Sequence, residues 1–171
     1  MQQIEWEKEP VTNINVDPIA LIQKHWGDVP VPVFEIVTGL GLGPDFEYLP
    51  DNISGAIKMR ADGNYRIVVN ANHHPNRQRF TAAHELGHYI YHRDLLGQGV
   101  GDTRAYRAEG TGMPNPAIRP MHERQANSFA ANLLMPMNSI YGEIGRGITD
   151  TKMLADRFGV SEMAMKIRLG R

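Results

Sequence analysis

The sequence predicts an α+β domain in which a small antiparallel sheet packs on a helical core, and three observations carry that prediction. Apolar residues recur at helical spacing near the start, strand-like and turn-like segments alternate in the middle, and helical periodicity returns to the end. A length of 171 residues, 42% apolar and 22% charged, suits one domain with a core of its own.

Residues 1–16 read as an irregular lead-in. Asp17 before Pro18 is a helix cap followed by proline in the first turn, opening a short helix that ends at Gly27. Val33, Ile36, Val37 and Leu40 give a second helix before "GLGLGPD". That glycine run lacks the preceding strand and the lysine of a phosphate loop, so it reads as a chain reversal. "FEYLP", "SGAIKMR" and "YRIVVN" then read as strands, the last two joined by the tight turn "ADGN". The strand "YRIVVN" offers either an edge for an extended substrate or a place inside the sheet.

A helix of about four turns follows over 76–92. The glycine- and proline-rich passage 97–120 carries no periodicity, and a passage of that kind is usually functional or mobile. The next helix runs over 121–135 and stops at Pro136. "TDTKMLADRFGVSEMAMKIRLGR" closes the chain as two short helices with a turn at Gly159. The organisation expected is a core over 1–148 and a C-terminal helical pair over 149–171 packed on the same core.

The chain has no cysteine, which excludes disulfides, thiolate metal clusters and cysteine nucleophiles. A metal site would have to use histidine and carboxylate. The net charge of −1 provides no general attraction to nucleic acid or anionic membrane. No apolar run is long enough to span a bilayer, and the polar, acidic start has no signal-peptide core, so a cytoplasmic location is expected.

The chemistry gathers in "RFTAAHELGHYIYHRD", residues 79–94. His84 and His88 stand at i and i+4, one turn apart on one helix face, so two imidazole nitrogens can converge on one ion. Zinc suits such ligands, and manganese (Mn2+), iron or cobalt would also accept them. Glu85 is rotated around the helix from its neighbour His84, placed to reach water beside the metal as a catalytic base. Gly87 costs roughly 1 kcal/mol relative to alanine in mid-helix and points to a close neighbouring backbone. The competing reading is a solvated polar stripe; the helix, the preceding sheet and the internal glycine favour a metal site.

His92 lies too far along the helix from His84, roughly 12 Å, to share its ion, and reads as a surface or C-terminal histidine that favours the helix dipole. The third ligand must come from Asp94, Asp102, Glu109, His122 or Glu123. Glu123 and His122 open the helix whose small residues Ala126 and Ala130, with Asn127, would allow close approach; spacing does not choose between them. Tyr91, Tyr106, His122 and Arg124 are the candidates for stabilising an oxyanion or contacting substrate. His73 and His74 read as loop residues ahead of the helix.

With "IVVNAN", "RFTAAHELGHYIYHRD", "ERQANSFAANLLMP" and "LADRFGVSEMAMKIRL" in this order, the chain from about residue 54 onward resembles the ImmA/IrrE family of metallopeptidase-like proteins. The resemblance implies a compact zincin-like fold related to the gluzincins, with His84, His88 and Glu123 as zinc ligands and Glu85 as base. It thereby decides for Glu123 over His122. It also implies a bacterial or phage regulatory role in which a helix-turn-helix repressor or stress regulator is the protein substrate. The alternative it leaves is a non-proteolytic metal-binding protein, such as a toxin paired with a helix-turn-helix antitoxin. The longer members carry a large sensor domain after the core, and regulation by such a domain is not expected here.

The closing segment also has the spacing of a DNA-reading helix-turn-helix, with Ala155, Gly159 and Ser161 in their places. Its five Lys/Arg against three Asp/Glu leave only +2, too thin a footprint for DNA. Leu154, Phe158, Val160, Met163 and Ile167 are expected instead to pack the pair on the core, and direct DNA binding is not expected.

Overall fold

A computed structural model describes residues 16–97 and 115–171; the lead-in up to residue 15 and the passage 98–114, with Tyr106, Asp102 and Glu109, lie outside the described residues. The architecture is α+β, a three-stranded sheet against a bundle of helices. Helix α1 (Pro18–Lys24) starts where the Asp17 carboxylate accepts from the Ile19 N–H at 3.0 Å. Helix α2 (Val33–Gly39) buries Val33, Ile36 and Val37. The glycine run reverses the chain after α2, with Gly41 and Gly43 at positive φ and Leu42 in the core.

Strands β1 (Asp45–Glu47), β2 (Gly55–Met59) and β3 (Tyr65–Asn70) lie in the order β1-β3-β2. β2 and β3 pair antiparallel through the "ADGN" turn, but β1 runs parallel to β3, so the sheet is mixed rather than antiparallel throughout. The reason lies in the connection between β1 and β2. The buried Asn70 amide donates to the carbonyls of Leu49, Pro50 and Ile53 at 3.1, 3.1 and 2.8 Å, folding that loop over the end of β3. The chain therefore crosses to the far side of β3 before β2 begins. Arg66 of β3 secures β1 with a bidentate pair to Asp45 at 2.8 and 3.1 Å. With a neighbour on each side, β3 has no free edge, which removes it as the place where a substrate strand could add.

Helix α3 (Pro75–Tyr91) is the central element, buried continuously over 81–88. It begins one residue before the expected start, because His74 caps it through Nδ1 and Pro75 takes the first helical position. One side of α3 lies on the sheet and α2, the other on α4 (Pro120–Leu134). A short 3-10 turn, Arg93–Leu95, follows α3.

Pro136 ends α4 but also caps a further helix, α5 (Met137–Gly145), which the sequence reading missed. Its glycines, Gly142 and Gly145, weaken the helical signal that Ile140 and Ile144 carry. Helices α6 (Thr151–Phe158) and α7 (Glu162–Leu169) are capped by Asp150 and Ser161 and joined at Gly159, whose φ is +64°.

The α6–α7 pair is fastened to the rest. Arg79 of α3 donates to the carbonyls of Gly159 at 3.1 Å and Val31 at 2.8 Å, and Asn76 donates to that of Val160 at 3.0 Å. Arg168 of α7 reaches back to Met135 O at 3.0 Å and Asn132 Oδ1 at 2.7 Å. Leu154, Phe158 and Val160 are buried as expected. Met163 and Ile167 are not, at 65% and 72% exposure; Met165 is the buried residue of α7. The arginine contact to α4 sets this phase, since Met165 and Arg168 share a face three residues apart.

Candidate metal centre

The crossing of α3 and α4 positions the site. A Cβ on Gly87 would stand 3.0 Å from Phe129 Cδ1 and 3.2 Å from Ala126 Cα, so glycine is required for the two backbones to come this close. Ala126 and Ala130 complete the seam with no exposed surface. One turn before Ala126, Glu123 faces the two histidines of α3.

His84 Nε2 and His88 Nε2 are 3.1 Å apart, and each lies 3.5 Å from an oxygen of the Glu123 carboxylate. Bonds of about 2.0–2.2 Å in a tetrahedron place neighbouring ligand atoms roughly 3.3–3.6 Å from one another. The three side chains therefore fit one divalent ion, and among the described residues they form the group that could hold one. His84 and His88 are 4% and 0% exposed, and Glu123 closes the group from the half-buried side. His84 donates from Nδ1 to Asn127 Oδ1 at 2.8 Å, which leaves its Nε2 lone pair turned to the cluster.

The remaining candidates fall elsewhere. His122 lies beside Glu123 in sequence but outside the group; its Nδ1 accepts from the Arg119 N–H at 3.0 Å, capping α4. Asp94 is exposed on the 3-10 turn. His73 stands 2.9 Å from the Asp51 carbonyl. Glu85 is buried on α3, about 100° around the helix from His84. Tyr91 is exposed, edge-on to Phe129 at 5.7 Å, where an apolar groove with Trp26, Ile22 and Leu133 runs beside α4. Arg124 points outward. The geometry does not choose an oxyanion partner among them.

His92 departs from the reading as a surface histidine. It does cap the C-terminus of α3, but it is 4% exposed. Its Nδ1 is 3.0 Å from His88 Nδ1 and its Nε2 is 2.8 Å from Gln125 Oε1. Sequence reasoning missed the roles of Gln125 and Asn127. Asn127, four residues after Glu123 and so on the same helix face, carried a signal that could have been used.

Residues 42–170 match the model of a peptidase family described as the IrrE N-terminal-like domain. A solved structure, a Mycobacterium tuberculosis transcriptional regulator, is similar with a TM-score of 0.58 and 19% identity, over 90% of this chain and 46% of that one. The likeness is one of fold, and this chain corresponds to less than half of that protein. No curated protein matches the chain.

Proposed function

The chain belongs to the IrrE N-terminal-like peptidase family, and we propose that it is a zinc-dependent endopeptidase acting on a protein regulator. The carrying observation is the convergence of His84, His88 and Glu123, at separations of 3.1 to 3.5 Å close to those of a tetrahedral ion's ligands, with Glu85 buried on the same helix. Family membership supports the coarser statement, a metallopeptidase-type function, independently of that geometry.

In this reading His84, His88 and Glu123 hold the ion. A zinc ion there supplies Lewis acidity, polarising a peptide carbonyl and lowering the pKa of water to roughly 7. Glu85 takes the proton of the attacking water and returns it to the departing amine. Ala126 and Ala130 leave no exposed surface along the seam of α3 and α4, so the substrate approaches from the side of the half-buried Glu123.

The substrate we assign is a helix-turn-helix repressor or related regulator. That assignment draws on the resemblance of the motif blocks; the one similar structure named above is itself called a transcriptional regulator. Among the described residues no helix is long and apolar enough to cross a membrane. A meeting of enzyme and regulator in the cytoplasm is part of the proposed reading. Direct DNA binding is not part of the proposal, because the basic side chains Lys152, Arg157, Lys166 and Arg168 are engaged by Asp156, Glu143, Glu162 and the end of α4.

The test is a search for new protein termini in a bacterial lysate, comparing the zinc-loaded protein with Glu85→Gln. Termini produced only by the unmodified protein support the peptidase and name its substrates. Equal patterns, with metal bound in both and a regulator retained on the protein, would support the non-proteolytic, antitoxin-binding alternative.

A further inference from the structure

The two histidines of the cluster are oriented by different devices. His84 has a side-chain amide on its Nδ1, and that contact alone settles its tautomer. His88 has a third histidine, which cannot settle anything until its own proton is placed. The 3.0 Å approach of the His88 and His92 Nδ1 atoms requires one proton between them, donated by one ring and accepted by the other.

Gln125 decides which. Its Oε1 can only accept, so the 2.8 Å contact places a proton on His92 Nε2. A neutral imidazole carries one proton, so His92 Nδ1 is bare and accepts from His88 Nδ1–H. His88 Nε2 is then bare as well, and it is that atom which stands 3.1 Å from His84 Nε2 in the cluster. The opposite polarity would put a proton on His88 Nε2 and block ligation.

We propose that His92, held by Gln125, is a positioning residue that fixes the tautomer of His88 and keeps its Nε2 lone pair on the metal centre. The arrangement follows from helix geometry: three histidines at intervals of four stack along one face of α3, with ring centroids 4.8 and 5.0 Å apart. The first two reach the cluster and the third backs the second. Gln125 lies on the exposed side of α4, where water can accept in its place, so the decisive variants are those of His92. The proposal rests on the cluster being a metal centre.

Two measurements on the full chain test it. Two-bond nitrogen–proton couplings of 15N-labelled histidines in the metal-free protein should show His92 protonated on Nε2 and His88 on Nδ1. Zinc affinity by chelator competition, with the visible spectrum of the cobalt-loaded protein, should then separate two variants of nearly equal size. His92→Leu removes the acceptor and should weaken binding about 10- to 100-fold and shift the cobalt bands. His92→Asn keeps an acceptor oxygen near the Nδ1 position and should recover most of that loss. Equal affinities for the Leu and Asn variants, or a His88 proton on Nε2, would overturn the proposal while leaving the metal centre standing. An unmodified protein that binds neither ion would overturn both. Should the Leu variant not fold, the couplings of the unmodified protein still decide.

Discussion

The two ends of α3 both turn polar side chains into the protein, but toward different kinds of partner. At its start, Asn76 and Arg79 donate to backbone carbonyls at Val31 and at 158–160. Each contact there joins a donor to an acceptor, and the result is a fastened α6–α7 pair. Toward its end, His84 and His88 present acceptor nitrogens to the carboxylate oxygens of Glu123. Lone pairs gathered on one point are stabilised by a shared cation. Donor-to-carbonyl contacts thus build the fold, whereas convergent acceptors build a site.

The largest expected effect breaks the chemistry and leaves both ends intact. Glu85→Gln should lower the cleavage rate by about 10²- to 10⁴-fold with zinc content unchanged, measured on any substrate the terminus search supplies. Unchanged cleavage would remove Glu85 as the base.

Arg79→Met attacks the other end. It leaves the Val31 and Gly159 carbonyls without their donor and should cost about 1–3 kcal/mol in denaturant unfolding. Burial already pulls the Arg79 guanidinium below the usual arginine value, which marks how far this charge sits from water. Metal affinity should be unaltered. A large loss of zinc in this variant would mean that the two ends of α3 are coupled and the comparison is wrong.

How much of this was legible follows the same division. Sites made by one helix could be read: the i, i+4 histidines, the mid-helix glycine and the caps at Asp17 and Ser161 are all local patterns. What depended on two elements meeting could not. The parallel pairing of β1 is set by Asn70 gripping a loop some twenty residues away. The burial of His92 is set by Gln125 on another helix. The choice of Glu123 over His122 came from resemblance, because neighbours on a helix start differ only by the 100° between them. The phase of α7 was misjudged for a related reason: Met163 and Ile167 share one face and Met165 lies on another, and Arg168 decides which is buried.

Gly87→Ala sharpens the comparison at the seam itself. In an isolated helix the change is favourable by roughly 1 kcal/mol. Here the new methyl meets Ala126 backbone atoms at 3.2 and 3.3 Å, and backbone does not yield as a side-chain tip would. Overpacking of this kind costs about 1–3 kcal/mol, so a net loss of stability is expected together with weaker zinc binding, because α4 carries Glu123 outward. Stability raised and affinity unchanged would show that the helices have room to spare.

The smallest effect is the one most specific to the fastening end. Ser161 Oγ accepts from the Ala164 N–H at 3.1 Å and starts α7, the helix that returns Arg168 to α4. Ser161→Ala should lower stability by about 1 kcal/mol, read as a shift of the urea midpoint at constant slope. Zinc affinity should stay the same, since the contacts described for His84, His88 and Glu123 are made to α4 and to α3 with its cap. If so small a change at a remote cap also altered metal binding, Arg168 would be acting on α4 as more than an anchor. The C-terminal pair would then belong to the machinery that sets Glu123.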